Sequence, residues 1–355
     1  MSKVIKSLNN VVGEKVTNCT QGRIQSVNFG LQVIKAMMVN KAMRANKIIR
    51  IVFTVVAIVS LVILPLGCQK NIDNNVDSRE WGNNKPAQKS FITQKDLRGI
   101  LSQSKQSTEN KGNVQKQIFK GIALGGVVPH HLVAGRLIVD FMEALEEQKP
   151  ELIVIIGPNH HNLGGKIISG LYDWQTPEGL VRTDEEIVQA LLDEKLAVRD
   201  EEVLAQEHSI GNIVPFVRHF TSEARIVPVI LHHDVSLEEV NLLLDALQPF
   251  MEKEKGLLLA SVDFSHYLTR EQAEEKDKYT LQVMKDFDYT TLFHLNNDYL
   301  DSPPSLAAIF RYAERKDISG FEVLGNTNSG EIMKNDVMET TSYFTLVFER
   351  ESEGK

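Results

Sequence analysis

Histidines come in adjacent pairs at three places in this chain: His130-His131 in VVPHH, His160-His161 in IIGPNHH and His232-His233 in VILHHD. These pairs hold six of the ten histidines, and each follows directly on a run of aliphatic residues. A carboxylate and an imidazole occur together in Asp263-Phe264-Ser265-His266, after GLLLASV, and again in Glu207-His208-Ser209, before a helical pattern that begins near Ile210. Neutral imidazoles converging with a carboxylate suit a divalent metal such as Fe(II), Zn(II) or Cu(II). A histidine left outside such a set has the pKa to move protons.

Each histidine taken singly reads as a hydrogen-bonded loop residue. Pro-His-His, Gly-Pro-Asn-His-His and Asp-Phe-Ser-His at three strand ends together point to one shared site. His131 and His161, second in their pairs, read as supporting neighbours of His130 and His160. His232 and His233 lack the proline-led turn and read as rim residues. His219 and His294 fall inside helical patterns and read as structural. Trp174 fits a pocket wall and a loop closure equally.

The elements that must position these residues follow from the texture of the chain after about Lys116. Apolar β-branched runs alternate there with amphipathic stretches, the pattern of a parallel sheet with crossover helices. Strands are expected near KGIALGGVV, ELIVIIG, KIISGLY, ARIVPVIL, GLLLASV, SGFEVLGNT and TSYFTLVFE. Helices are expected over 134–147, 185–194, 210–220, 237–253 and 305–315. Thr183-Asp184-Glu185-Glu186 and Ser236-Leu237-Glu238-Glu239 supply caps and acidic first turns. The last two strands follow one another without a helix, so an antiparallel edge is expected. The reading is a single three-layer α/β domain over 116–350, with a mostly parallel central sheet and flanking helices. In such sheets ligands bind beyond the C-terminal strand ends, where the histidines fall.

The rest of the chain divides by composition. Residues 1–67 carry 9 Lys+Arg and 1 Asp+Glu, which leaves 39 − 9 = 30 basic and 47 − 1 = 46 acidic residues in the remainder. A body near −16 repels phosphate backbones and excludes nucleic acid as a partner. Cys19 and Cys68, the two cysteines, precede the folded part, so no Cys-rich structural zinc site forms in it. An extension over 1–47 ends in a basic flank of Lys41, Arg44 and Lys47, with Arg50 following. An apolar signal or anchor segment at 48–67 comes next, then Cys68. Gly67-Cys68 is similar to a bacterial lipobox, which makes Cys68 a candidate for lipidation; a plain uncleaved anchor is the alternative. Either places the body outside the cytoplasm, membrane-tethered. Residues 68–115, rich in Asn, Gln, Ser and Lys, read as a disordered tether.

VPHH, IIGPNHH, QTPEGLVRTDEE, EHSIGNIVPF, IVPVIL and SVDFSHY, in that order, resemble the Memo family, which includes the bacterial AmmeMemoRadiSam system protein B. The resemblance spans about residues 120–350. It implies an α/β fold akin to class III extradiol dioxygenases, enzymes that use non-haem Fe(II). It also implies metal-binding histidines at His130 and His160, with Asp263, His266 and His208 in the pocket. The family's third ligand is a cysteine in a Cys-Gly-x-x-Pro segment. The corresponding stretch here, YLDSPPSLAAIF, has none, and its aligned position is near Leu300. Asp301, one residue on, completes a set of two histidines and one carboxylate.

The metal ligands expected are therefore His130, His160 and Asp301, with His208, Asp263 and His266 as catalytic acids or bases. The expected activity is that of a non-haem metal oxidoreductase, dioxygenase-like, acting on a small molecule. A metal-dependent hydrolase and a non-catalytic binding protein that keeps the cavity are the alternatives.

Overall fold

A computed structural model describes residues 85–110, 119–253 and 256–351, with only the backbone of 105–110. All of them belong to one compact unit, Arg79–Lys355. The anchor segment, the basic extension and Cys68 lie outside the described residues. Among those residues, no helix is long and apolar enough to cross a membrane.

The chain enters through a short strand, β1 (Ala87–Lys89), and a helix, α1 (Gln94–Asn110). Both fall inside 68–115, the stretch read as a disordered tether, so ordered structure begins well before Lys116. The sequence is misleading here because α1 is polar overall and docks through few side chains. Leu97 is fully buried, Ile92 just before the helix is nearly so, and Thr93 caps the helix, its Oγ1 accepting the Asp96 N–H at 3.3 Å.

The central sheet starts with β2 (Ile122–Val128), followed by α2 (Gly135–Glu146) and β3 (Leu152–Pro158). A smaller excursion holds β4 (Ile167–Ser169), β5 (Asp173–Thr176), β6 (Gly179–Val181), α3 (Glu185–Asp193), β7 (Val198–Arg199), α4 (Glu201–Leu204), α5 (His208–Gly211) and α6 (Val214–Phe220). Then come β8 (Arg225–Leu231), α7 (Leu237–Lys253), β9 (Leu257–Ser261), α8 (Arg270–Lys285), α9 (Tyr289–Leu292) and α10 (Pro303–Glu314). The described chain closes with β10 (Glu322–Asn328), α11 (Ser329–Met333) and β11 (Ser342–Arg350).

Eight strands form one sheet in the order β10-β11-β2-β9-β3-β8-β4-β7, and β1-β5-β6 form a small second sheet. The centre β2-β9-β3-β8 is parallel. β10 and β11 make the expected antiparallel edge. KIISGLY yields only the three residues of β4, which run antiparallel to β8.

The strands are apolar on both faces because helices cover both. In β3, Leu152, Val154 and Ile156 point into a core shared with α3, α7 and α10, whereas Ile153 and Ile155 point into a core shared with α1, α2 and α6. Leu258 and Ala260 against Leu257 and Leu259 repeat this alternation in β9. This is the three-layer α/β architecture expected from the sequence. The parallel centre aligns Val128 with Ser261, and Pro158 with Leu231. The residues that follow these strand ends share one edge of the sheet.

Candidate metal centre

His130 enters that edge at the end of β2, and its environment fixes its tautomer. Its Nδ1 lies 3.2 Å from Ser261 Oγ, and that hydroxyl donates its own proton to the Ser209 carbonyl at 2.6 Å. His130 Nδ1 is therefore the donor, which directs Nε2 inward. The backbone is held as firmly: Asp263 Oδ1 accepts His130 N–H at 3.0 Å, and Asn212 Nδ2 donates to its carbonyl at 2.9 Å. The ring is completely buried.

His160 follows β3 and is oriented by Glu207. One carboxylate oxygen takes His160 Nδ1–H at 2.7 Å, the other takes its backbone N–H at 3.0 Å, and Ser209 N–H adds a third bond at 3.1 Å. Glu207 is thereby both the cap of α5 and the orienting group of His160. Close approach of α5 to β3 requires a glycine, since a Cβ at Gly157 would stand 2.7 Å from Ser209 Cβ. The sequence shows Glu207 beside His208, but its action on His160 is not visible at a separation of 47 residues.

Asp301 stands one residue before the Ser302 cap of α10, whose first turn carries Pro303 and Pro304. A bridge between Phe264 and Leu300 and the bond from Asp301 N–H to the Asp263 carbonyl, 3.1 Å, bring it to the other strand ends. Its Oδ2 lies 3.3 Å from His130 Nε2 and 3.6 Å from His160 Nε2. In a tetrahedral site with bonds of about 2.0–2.1 Å, neighbouring donors stand about 3.3 Å apart. Neither His130 Nε2 nor Asp301 Oδ1 has a hydrogen-bond partner although both are buried. Two buried donor atoms at this edge therefore have unused hydrogen-bonding capacity.

Further donors lie beside these atoms. His130, His160 and His208 place ring nitrogens within 4.8 Å of one another, as do the donors of His130, Asp263 and Asp301. The His208 ring stacks on His160 at 4.1 Å and meets His130 edge-on at 5.0 Å. Asp263 Oδ2 is 3.6 Å from His130 Nε2.

His266 is not among these groups. The Asp263–His266 segment is extended, not helical, so the two side chains do not share one helical face; His266 Nδ1 is buried without a partner. His131, half turned to solvent, accepts or donates a 2.7 Å bond with Tyr343 Oη. His232 and His233 form a separate group with Asp234. His219 pairs with Glu178 at 2.8 Å, and His294 Nδ1 bonds to the Thr290 carbonyl at 2.6 Å.

The charges are strongly coupled. Burial opposes a charged His160, yet Asp301 and Glu207 outweigh it and push its pKa up to about 10. Burial likewise opposes charge on His130, but Asp263 and Asp301 raise it. Asp301 resists protonation despite burial, because His130 and His160 hold it well below the carboxylate range. His208 goes the other way: burial and then the neighbouring His130 and His160 bring it down to about 4. Two imidazoles are thus drawn toward the cationic state by buried acids while a third stays neutral. A divalent cation supplies the same positive charge at the same point.

Residues 93–347 match the family model described as Memo-like protein. A MEMO1 family protein of Caldivirga maquilingensis is 27% identical over 283 residues, covering 74% of this chain and 98% of the relative. A MEMO1 family protein of Pyrobaculum aerophilum is 28% identical over 241 residues, 65% of this chain and 85% of its own. One of Thermoplasma acidophilum is 29% identical over 245 residues, 66% and 88%. With the α/β layers, the strand-edge histidines and a match over most of the described domain, the chain belongs to the Memo-like protein family.

Proposed function

We propose that the chain is a non-haem metal enzyme of the oxidoreductase class, dioxygenase-like, with a divalent ion held by His130, His160 and Asp301. The observation that carries the reading is one carboxylate oxygen placed 3.3 and 3.6 Å from the Nε2 atoms of two histidines. Two histidines and one carboxylate with open positions are the donor set of non-haem Fe(II) oxygenases, and such an ion supplies oxygen activation beside a bound substrate. Glu207 and Ser261 hold the ligand rings in the tautomer that presents Nε2. His208, neutral at pH 7 and partly open to solvent, is placed to accept a proton from a substrate hydroxyl. Asp263 fixes the His130 backbone and lies 3.6 Å from Nε2 of the same ring.

The test loads the full chain anaerobically with Fe(II), then measures iron content and oxygen uptake over a panel of catechols. Asp301→Ala is expected to lose stoichiometric iron while keeping its cooperative thermal transition. Unchanged iron content would show that Asp301 is not a ligand. Absence of uptake from an iron-loaded wild type would remove the dioxygenase reading for those substrates.

A hydrolase is favoured by a different observation, the three clustered imidazoles of His130, His160 and His208, a set suited to Zn(II). Ester hydrolysis by the zinc-loaded chain, lost in His208→Ala, would support it. Membrane tethering is a proposal on separate grounds, the basic flank and the apolar run 48–67. It is tested by fractionating membranes after expression of the full chain and of Cys68→Ser.

A further inference from the structure

Where β8 ends, the chain makes a tight turn built from three donor residues. His232 N–H donates to the Lys166 carbonyl at 2.8 Å, and Val235 N–H returns to the His232 carbonyl at 3.0 Å. The turn is thus closed and fastened to the sheet. Inside it the His232 and His233 rings stack at 4.5 Å with 25° between their planes. The Asp234 carboxylate reaches both: Oδ1 is 3.0 Å from His233 Nε2, and Oδ2 is 3.7 Å from His232 Nδ1.

These separations bracket the donor spacing of about 3.3 Å expected around a tetrahedral ion. His232 Nδ1 accepts the Asp234 amide at 3.0 Å, so its lone pair already points toward the carboxylate residue. An ion at that nitrogen displaces an amide on an exposed turn, where water can replace the lost bond. Lys166, whose carbonyl accepts the His232 N–H, has its own Nζ paired with Glu239 at 2.9 Å. His233 and Asp234 are each 62% exposed in their side chains, which leaves remaining coordination positions to water.

We propose that His232, His233 and Asp234 form a second metal site, solvent-facing and exchangeable, for a borderline divalent ion such as Zn(II), Ni(II) or Cu(II). Two imidazoles select these ions over Mg(II) and Ca(II), which take oxygen ligands. The site lies on the rim of the same strand edge as the buried donors. His233 N–H donates to Asn162 Oδ1 at 2.9 Å, Asn159 N–H donates to the Leu231 carbonyl at 2.9 Å, and His160 lies between those two asparagines. An ion held in the turn lies at the same sheet edge as the buried donors, and its binding is independent of the reading given to the buried set.

The test is equilibrium dialysis of the untagged full chain against Zn(II), with wild type, H233A/D234A and H130A/H160A compared in parallel. Both rim substitutions are on exposed side chains, so folding is preserved; the cysteines are common to all three chains and cancel. H233A/D234A is expected to lose one zinc per chain, or to bind it at least tenfold more weakly, while H130A/H160A keeps that zinc. A tenfold excess of Mg(II) is expected not to displace it. The proposal is overturned if H233A/D234A binds zinc as wild type does, or if H130A/H160A removes every zinc. Loss of zinc in H233A/D234A with no effect of H130A/H160A would sustain the rim site and defeat the buried one.

Discussion

Glu207 tests the idea that the buried imidazoles are arranged for an ion. Its two oxygens accept three N–H groups, including His160 Nδ1–H, and none of those bonds is a ligand bond. In Glu207→Gln, one amide nitrogen faces an N–H and the ring loses its fixed orientation. Divalent metal affinity is expected to fall roughly 10–100-fold with the fold intact, since groups that orient a ligand histidine have effects of that size. A competition titration with a chromogenic chelator measures it, and an unchanged affinity would detach Glu207 from the centre. At this scale the sequence is partly informative. His130 and His160 stand out because apolar runs end in Pro-His-His and Gly-Pro-Asn-His-His, and the parallel sheet brings both to one edge. Asp301 was suggested by its position in the family pattern alone. The pairing of Glu207 with His160, and of Ser261 with His130, depends on tertiary placement that no local pattern encodes.

Between elements, a second buried carboxylate joins helix to sheet. Asp277 of α8 accepts from Ser265 Oγ at 3.0 Å, Ser342 Oγ at 2.5 Å and Asn326 Nδ2 at 3.2 Å. Burial pushes its pKa up despite those bonds. A carboxyl group raised in the folded state stabilises the fold below its unfolded pKa, and that contribution is lost as pH rises through the folded value. D277N carries no titrating group there. Its melting temperature relative to wild type is therefore expected to rise from pH 4 to pH 8; a difference that falls over that range would contradict the assignment. Neither α8 nor α1 is expected from the sequence, and for the same reason: REQAEEKDKYTLQVMK and QKDLRGILSQSKQSTEN are mostly polar, and each is placed by a few contacts. The sheet strands β2, β3, β8 and β9 were expected because they are apolar on both faces, a direct result of their helical covering. β4 was overestimated, since KIISGLY leaves the sheet at Gly170.

For the molecule as a whole, the described domain includes its leading segment. Ile92 and Leu97 are buried in the core shared with α2 and α6. Burying each such side chain contributes about 1.5–3 kcal/mol. A chain beginning at Gly121 is thus expected to be about 3–6 kcal/mol less stable than one beginning at Lys85, read as a lower urea midpoint. Equal midpoints would mean that 85–120 merely rests on the domain. The acidic balance of the body, near −16, favours divalent cations at its surface over anionic partners.

The parallel order β2-β9-β3 has one more consequence. Val128 and Ser261 are neighbours in register though more than a hundred residues separate them, and position 301 is as far removed from 130 and 160. No hairpin or helix–strand unit formed early in folding contains the centre. Its assembly requires loop closures that are entropically slow. On the proposed reading, a newly synthesised chain would be able to retain an ion only as the sheet is completed. An ion bound by the folded chain and not by the unfolded one would add to equilibrium stability by mass action, so stability would then depend on metal concentration.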